Sequence, residues 1–438
     1  MTMQHLCRSL VVFLVACALS ACATKPRPTP PKAGAPLEHA WGAVPFQASA
    51  DGIDEEFTVG IFDSLRAKRE QLRQAGDGGK IPYRALTLSG GGSRGAYGAG
   101  VLSGWTKRGD RPQFEVVTGI STGALMATQV FLGSEFDDDL AIYKDITNDQ
   151  VFVEHGMIKT LFSVLRSPSA FDTSPLRETL LTIISEETLD LVAAEHRKGR
   201  RLYIGSTNLD ANVFTIWDMG AIAGSDRPDR LKHYIDVVMA SAAFPIAFPP
   251  IYVEVEGEAG DYTQMHGDGG IRETAFFFDF ESLEAYQLEL EAAGFSDSDF
   301  DSQLYLLING PIASPGIKTY KPVEGKVVAI ADATITSLMT KVTQGSLYRL
   351  WIMAMAYGAD FHVSFVPPDY TFFTSSLTFD PVEGAALFEL GYQQALDGTA
   401  WATQLAPTSD EELLKLIVDP ASAFDSHEQP AWLTRGEQ

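Results

Sequence analysis

The chain has 438 residues, 45% of them hydrophobic and 21% charged, so it is globular and long enough to bury a large core. Its formal net charge of -24 argues against nucleic acid as a partner, because that binding rests on Lys and Arg neutralising phosphates. The same acidity means that bulk charge does not draw the chain to anionic lipid.

The three cysteines are Cys7, Cys17 and Cys22, which leaves the remaining chain without a disulfide, a thiolate metal site or a catalytic thiol. Arg8 precedes an apolar run from Leu10 to Leu19 that is too short to span a bilayer. Leu19-Ser20-Ala21-Cys22 then supplies the small residues of a cleavage site. The stretch resembles a bacterial lipoprotein signal over residues 1–21, with Cys22 lipidated as the mature N-terminus. That implies a lipid-anchored protein of the bacterial cell envelope, and Ala23 after the cysteine points to the outer membrane. Residues 22–60 hold Pro26, Pro28, Pro30, Pro31, Pro36 and Pro45 and read as a semi-extended linker. A surface helix and loop are expected over 61–81, with Phe62 to Gln74 helical and Gly76 to Gly79 breaking the chain.

A domain over 82–404 follows, in which strand and helix patterns alternate. Arg84–Ser89, Phe114–Thr118, Arg201–Ser206, Val213–Trp217, Leu304–Ile308 and His362–Val366 read as strands. Ala96–Lys107 and Ala124–Leu132 read as helices, and Ser174-Pro175 as a helix start with Ser174 as N-cap. This order predicts an α/β fold of three layers, a central and largely parallel sheet flanked by helices. Leu347–Tyr357 is read as a buried helix. Residues 405–438 make a C-terminal helix and tail, with a capping box over Ser409–Glu412.

Three constellations carry chemistry. Gly119-Ile120-Ser121-Thr122-Gly123 fits G-x-S-x-G between a strand and a helix, where the turn projects a nucleophilic hydroxyl and the helix N-terminus favours negative charge. Gly90, Gly91 and Gly92 begin a glycine loop whose N–H groups converge on one point, as an oxyanion requires, and Arg94 in that loop fixes it or attracts a phosphate-bearing substrate. Gly90, Gly92 and Gly95 also fit the dinucleotide fingerprint, but the next strand ends in the serine turn and not in a ribose-binding acid. Gly267-Asp268-Gly269-Gly270 is a weak turn signal by itself; ahead of it, Met239–Pro250 is a small-residue helix end and a loop rich in Pro and Phe.

Ser-Gly-Gly-Gly-Ser-Arg-Gly at 89–95, Gly-Ile-Ser-Thr-Gly at 119–123, Ala-Ser-Ala-Ala-Phe-Pro at 240–245 and Asp-Gly-Gly at 268–270 together resemble the patatin-like phospholipases. The resemblance implies a Ser121 nucleophile, Asp268 as its partner, and Gly90, Gly91 and Gly92 as the oxyanion hole. It implies a membrane lipid as substrate and an acyl-enzyme intermediate. Ser89 departs from the Asp of many members, which puts the anchoring of the loop in question. His362 and His427 follow Asp268, so a Ser-Asp-His triad stays open; His362 reads as structural, His427 lies in a polar tail, and His266, two residues before Asp268, reads as a loop residue. No metal or cofactor motif is found. The alternatives are an esterase or acyltransferase on other acyl esters, or a non-catalytic envelope lipoprotein. Oligomeric state is not legible.

Overall fold

Strands whose two faces are both apolar need cover on both sides, because successive residues point to opposite faces. The computed structural model describes residues 27–44, 55–76, 79–154, 171–257, 260–277, 290–312 and 327–403, with isolated positions at 169, 288, 322–323 and 325. The strands are β1 (Ala43–Val44), β2 (Ile81–Leu88), β3 (Val116–Gly119), β4 (Val153–Glu154), β5 (Phe171–Asp172), β6 (Arg201–Asn208), β7 (Val213–Asp218), β8 (Ile251–Val255), β9 (Tyr262–Asp268), β10 (Phe300–Ile308) and β11 (Asp360–Phe365). The longer helices are α1 (Glu55–Gln74), α2 (Gly95–Arg108), α3 (Thr122–Leu132), α4 (Ser174–Ile183), α5 (Glu186–Arg197), α6 (Arg230–Ser241), α7 (Val327–Ala356) and α8 (Pro381–Leu396).

Nine strands form one sheet. β11, β10, β2, β3 and β6 lie side by side and parallel. β7 and β1 extend it antiparallel beyond β6. β9 joins the other edge of β6 antiparallel, and β8 pairs with β9. The strand period sorts the core into two layers. Ala85, Tyr203, Leu304, Leu306 and Val363 meet Leu347, Leu350 and Trp351 of α7 on one face. Leu86, Leu88, Leu202, Ile204 and Leu307 meet α2, α3, α5 and α6 on the other. Each such side chain contributes about 1.5–3 kcal/mol on burial. The three-layer, mostly parallel α/β fold expected from the sequence is what the chain adopts.

α2 packs against α8 at backbone distance. A Cβ on Gly100 would lie 2.0 Å from the Phe388 carbonyl oxygen, and one on Gly104 would lie 2.2 Å from that of Tyr392. The glycines of α2 therefore serve close packing, which outweighs a helix penalty of about 0.5–1 kcal/mol each. Since α2 grows from the glycine loop, this contact fixes that loop from behind.

Some expectations shift. α1 begins at Glu55, seven residues before Phe62. Ser174 is the first residue of α4 and Thr173 the N-cap; Asp172 Oδ1 accepts the Ser174 N–H at 2.9 Å and its hydroxyl at 2.7 Å. Leu347 to Ala356 make up the end of the 30-residue α7, and Tyr357 lies just past it. Residues 27–44, expected as part of a linker over 22–60, are instead laid across the domain as a strap. The Arg27 guanidinium makes two bonds of 2.6 Å to the Asp210 carboxylate, and the Trp41 ring packs at a tilt of 31° against His233 with ring centres 4.7 Å apart. β1, at the end of the strap, pairs with β7. Residues 1–21, Cys22, Ser409–Glu412 and the expected helix and tail at 405–438 lie outside the described residues. Among those described, no helix is long and apolar enough to cross a membrane.

Candidate active site

β3 and β9 meet almost end to end along one edge of β6. Gly119, the last residue of β3, pairs with Ile204 of β6, and Asp268, the last of β9, pairs with Ser206. The two strands run in opposite directions, so their C-terminal ends converge over Gly205. This brings Ser121 and Asp268 together although 147 residues separate them in sequence.

Ser121 sits at the head of α3 with φ 53° and ψ -123°, a conformation rarely populated by a residue with a Cβ. Its N–H donates to Ser241 Oγ at 3.0 Å. The flanking glycines are required by contact: a Cβ on Gly119 would lie 2.7 Å from the Gly123 carbonyl oxygen, and one on Gly123 would lie 2.3 Å from that of Leu88. The turn is the strained strand-to-helix elbow that the pentapeptide predicts.

The Asp268 side chain is fully buried. Oδ1 accepts the Gly270 N–H at 2.7 Å. Oδ2 is closed off from solvent without a well-formed hydrogen bond. Burial pushes the pKa up to about 7; the Gly270 N–H and the adjacent Ser121 hydroxyl pull the other way. A carboxylate of this basicity is matched to taking a hydroxyl proton near neutral pH.

In the glycine loop the N–H of Gly90 donates to the Thr274 carbonyl at 3.1 Å, so it is not free to meet an oxyanion. Gly90 is a glycine for room instead, because a Cβ there would lie 3.2 Å from Ser121 Cβ. The Gly91 and Gly92 N–H groups have no acceptor among the described residues, and both glycines line a cleft of about 320 Å³ with Ser121. Ser89 answers the question of anchoring. Its hydroxyl donates to the Gly90 carbonyl at 2.8 Å and accepts the Asn309 N–H at 2.8 Å, tying the loop to the end of β10. Arg94 enters the same cleft with its guanidinium 4.0 Å from the centre of the Phe372 ring. Its Nε is buried without a hydrogen bond among the described residues. Burial lowers its pKa, and Glu383 offsets this in part from a distance. Glu383 itself is bound to the N–H groups of Phe373 and Thr374.

The histidines stay apart. His266 lies in β9 and not in a loop; burial drops its pKa to about 3, and Nδ1 bonds Ser206 Oγ at 3.0 Å. His362 lies in β11 and stacks on Tyr305 with ring centres 4.5 Å apart. β11 is three strands from β3, roughly 14 Å at about 4.8 Å per strand, too far to take a proton from Ser121. His427 lies outside the described residues. Thr274, Asn309 and Ser241 had no role from sequence; only Ser241 carried a signal, inside the Ala-Ser-Ala-Ala-Phe-Pro run. A larger cleft of about 700 Å³ lies under the strap, where Arg227 pairs with Asp229 and Glu256, and Lys232 with Asp236.

The chain is similar to known proteins over part of its length. Residues 86–280 match the family model for patatin-like phospholipase. A cGAMP-activated phospholipase of Escherichia coli is 28% identical over 206 residues, 44% of this chain and 53% of that protein. Patatin-2-Kuras 4 of Solanum tuberosum is 26% identical over 211 residues, 47% of this chain and 54% of that protein. The solved structure of VipD from Legionella pneumophila aligns at 13% identity, covering 74% of this chain and 68% of that one, with a TM-score of 0.30. The chain spans about half the length of the curated relatives it matches. The matched segment holds the glycine loop, the elbow and Asp268, and residues 86–280 match as a patatin-like phospholipase domain.

Proposed function

We propose that the protein is a lipid acyl hydrolase of phospholipase A or lysophospholipase type, working through a Ser121–Asp268 dyad. The observation that carries this reading is a strained serine turned toward a buried carboxyl whose pKa stands at about 7. Asp268 takes the hydroxyl proton as Ser121 Oγ attacks the ester carbonyl carbon. The Gly91 and Gly92 N–H groups hold the oxyanion. As the C–O bond breaks, the leaving alkoxide takes the proton from Asp268, and the acyl group stays on Ser121. Asp268 then deprotonates a water that attacks the acyl-enzyme. Collapse releases the fatty acid and returns the proton to Ser121 Oγ.

Two features favour a lipid over a small soluble ester. Phe244, Phe248, Met339 and Leu377 line the cleft with apolar surface, while Arg94 offers a cation for a phosphate-bearing head group. Ile246 and Phe373, on segments that wall the cleft, are exposed at 47% and 59%. Such apolar exposure around an opening suits contact with a lipid surface. Cys22 is proposed to carry the lipid anchor, in an outer membrane of a bacterial envelope.

Incubation with defined phospholipids, with products read by mass, tests the reading. Release of fatty acid and lysolipid is expected, and turnover restricted to short soluble esters favours an esterase or acyltransferase instead. Absence of labelling by an active-site serine probe would leave a non-catalytic lipoprotein. Cys22→Ala should abolish incorporation of labelled fatty acid into the protein, and retained incorporation refutes the anchor.

A further inference from the structure

The last turn of α6 touches both halves of the dyad. Ser241, its final residue, is fully buried. Its Oγ accepts the Ser121 N–H at 3.0 Å and donates its own proton to the Gly205 carbonyl at 2.6 Å. Two residues on, the Ala243 carbonyl accepts the Asp268 N–H at 3.0 Å. Gly205 is the position on β6 that falls between the partner of Gly119 and the partner of Asp268. Neither β3 nor β9 pairs with it on that edge. The Ser241 hydroxyl fills this break in the ladder and ties the elbow to the strand beneath it. The same carbonyl bounds the other half of the dyad, since a Cβ on Gly269 would lie 2.5 Å from it.

The geometry points to Ser241 as a positioning residue that fixes the separation of Ser121 from Asp268. It touches no substrate and acts through the Ser121 amide. A buried N–H needs an acceptor, and the elbow conformation is strained, so removing the acceptor frees the elbow peptide to rotate. A displacement of about 1 Å at a nucleophile lowers turnover by on the order of 10²-fold. Substrate affinity is set by the cleft walls, which Ser241 does not join. This inference rests on the hydrolase reading.

Ser241→Ala is nearly isosteric, and Ser206→Ala is the matched control. Ser206 is also fully buried in the same region, and its hydroxyl serves Trp217 and His266 instead of the elbow. On the full chain, kcat, KM, the rate of Ser121 labelling by a serine probe and the melting temperature are measured for wild type and both variants. Ser241→Ala is expected to lower kcat and the labelling rate together by on the order of 10²-fold, with KM changed by less than about threefold. Ser206→Ala is expected to lower the melting temperature comparably while keeping kcat within about threefold. Near-wild-type kcat in Ser241→Ala overturns the inference, as does an equal loss in Ser206→Ala. A wild type that neither labels nor turns over phospholipid overturns the hydrolase reading, and this inference falls with it.

Discussion

Asp268→Asn should inactivate the protein and stabilise it, by an amount that depends on pH. Folding raises the carboxyl from 3.8 to about 7, chiefly by burial. The folded state therefore holds the proton about a thousandfold more tightly than the unfolded chain, worth about 4 kcal/mol at about 1.4 kcal/mol per tenfold. A group with a raised folded pKa stabilises fully below its unfolded pKa, and that contribution is lost as pH rises through the folded value. Wild type thus loses stability between about pH 4 and about pH 7 and is level above, where the buried carboxylate is ionised. Asparagine cannot ionise, and its amide oxygen still suits the Gly270 N–H that Oδ1 accepts. Denaturant unfolding of both proteins from about pH 5 to about pH 9 should show a gap that widens with pH and flattens above about pH 7. In wild type, kcat/KM should rise about tenfold per pH unit below about pH 7 and level off above it. Parallel stability curves, or a gap that narrows with rising pH, would refute the claim that desolvation sets the basicity of Asp268.

Other outcomes follow from the same geometry. Ser121→Ala should abolish probe labelling and turnover while leaving the unfolding free energy within about 1 kcal/mol, since the half-buried hydroxyl contributes one hydrogen bond, to Asp268; residual labelling would place the nucleophile elsewhere. Gly91→Ala should abolish turnover, because the new methyl lands 2.1 Å from the Asn309 carbonyl oxygen and displaces an oxyanion donor; it is checked by kcat beside a far-UV spectrum that shows the fold kept. Arg94→Gln should raise KM for phospholipid by on the order of 10-fold and leave KM for an uncharged short ester unchanged, and equal effects on both would remove the phosphate role. His362→Ala should keep kcat within about threefold, whereas a loss comparable to that of Asp268→Asn would restore a triad.

The site was legible unevenly, for physical reasons. The elbow and the glycine loop are local, each encoded by glycines that must admit a nearby backbone or a tight turn, so short motifs carry them. Asp268 is a long-range partner, and its place follows from β9 meeting β3 end to end on β6. β9 escaped notice because Tyr262–Asp268 mixes polar and apolar residues without clean alternation. That missing strand is also why His266 read as a loop residue. The loss of Gly90 as a donor was not legible either, because its N–H is taken by Thr274, 184 residues away. The strap was missed for a compositional reason. Prolines mark a chain that lacks its own regular structure, but they do not say whether that chain lies in solvent or against a surface.

The docked strap changes the mechanics of attachment. A tether from 22 to 60 would let the domain roam far from a bilayer. With the chain pinned at Arg27, only four residues lie between Cys22 and the arginine that forks onto Asp210. Whatever their conformation, the five Cα–Cα steps from Cys22 to Arg27 reach no more than about 18 Å. Asp210 also accepts the Met265 N–H at 2.8 Å, three residues before Asp268 on β9. An anchored Cys22 would therefore work as a short leash, holding the dyad strand close to the leaflet in which its lipid sits and confining attack to that leaflet. A longer spacer inserted between Cys22 and Arg27 would extend the reach of the domain without altering the proposed chemistry.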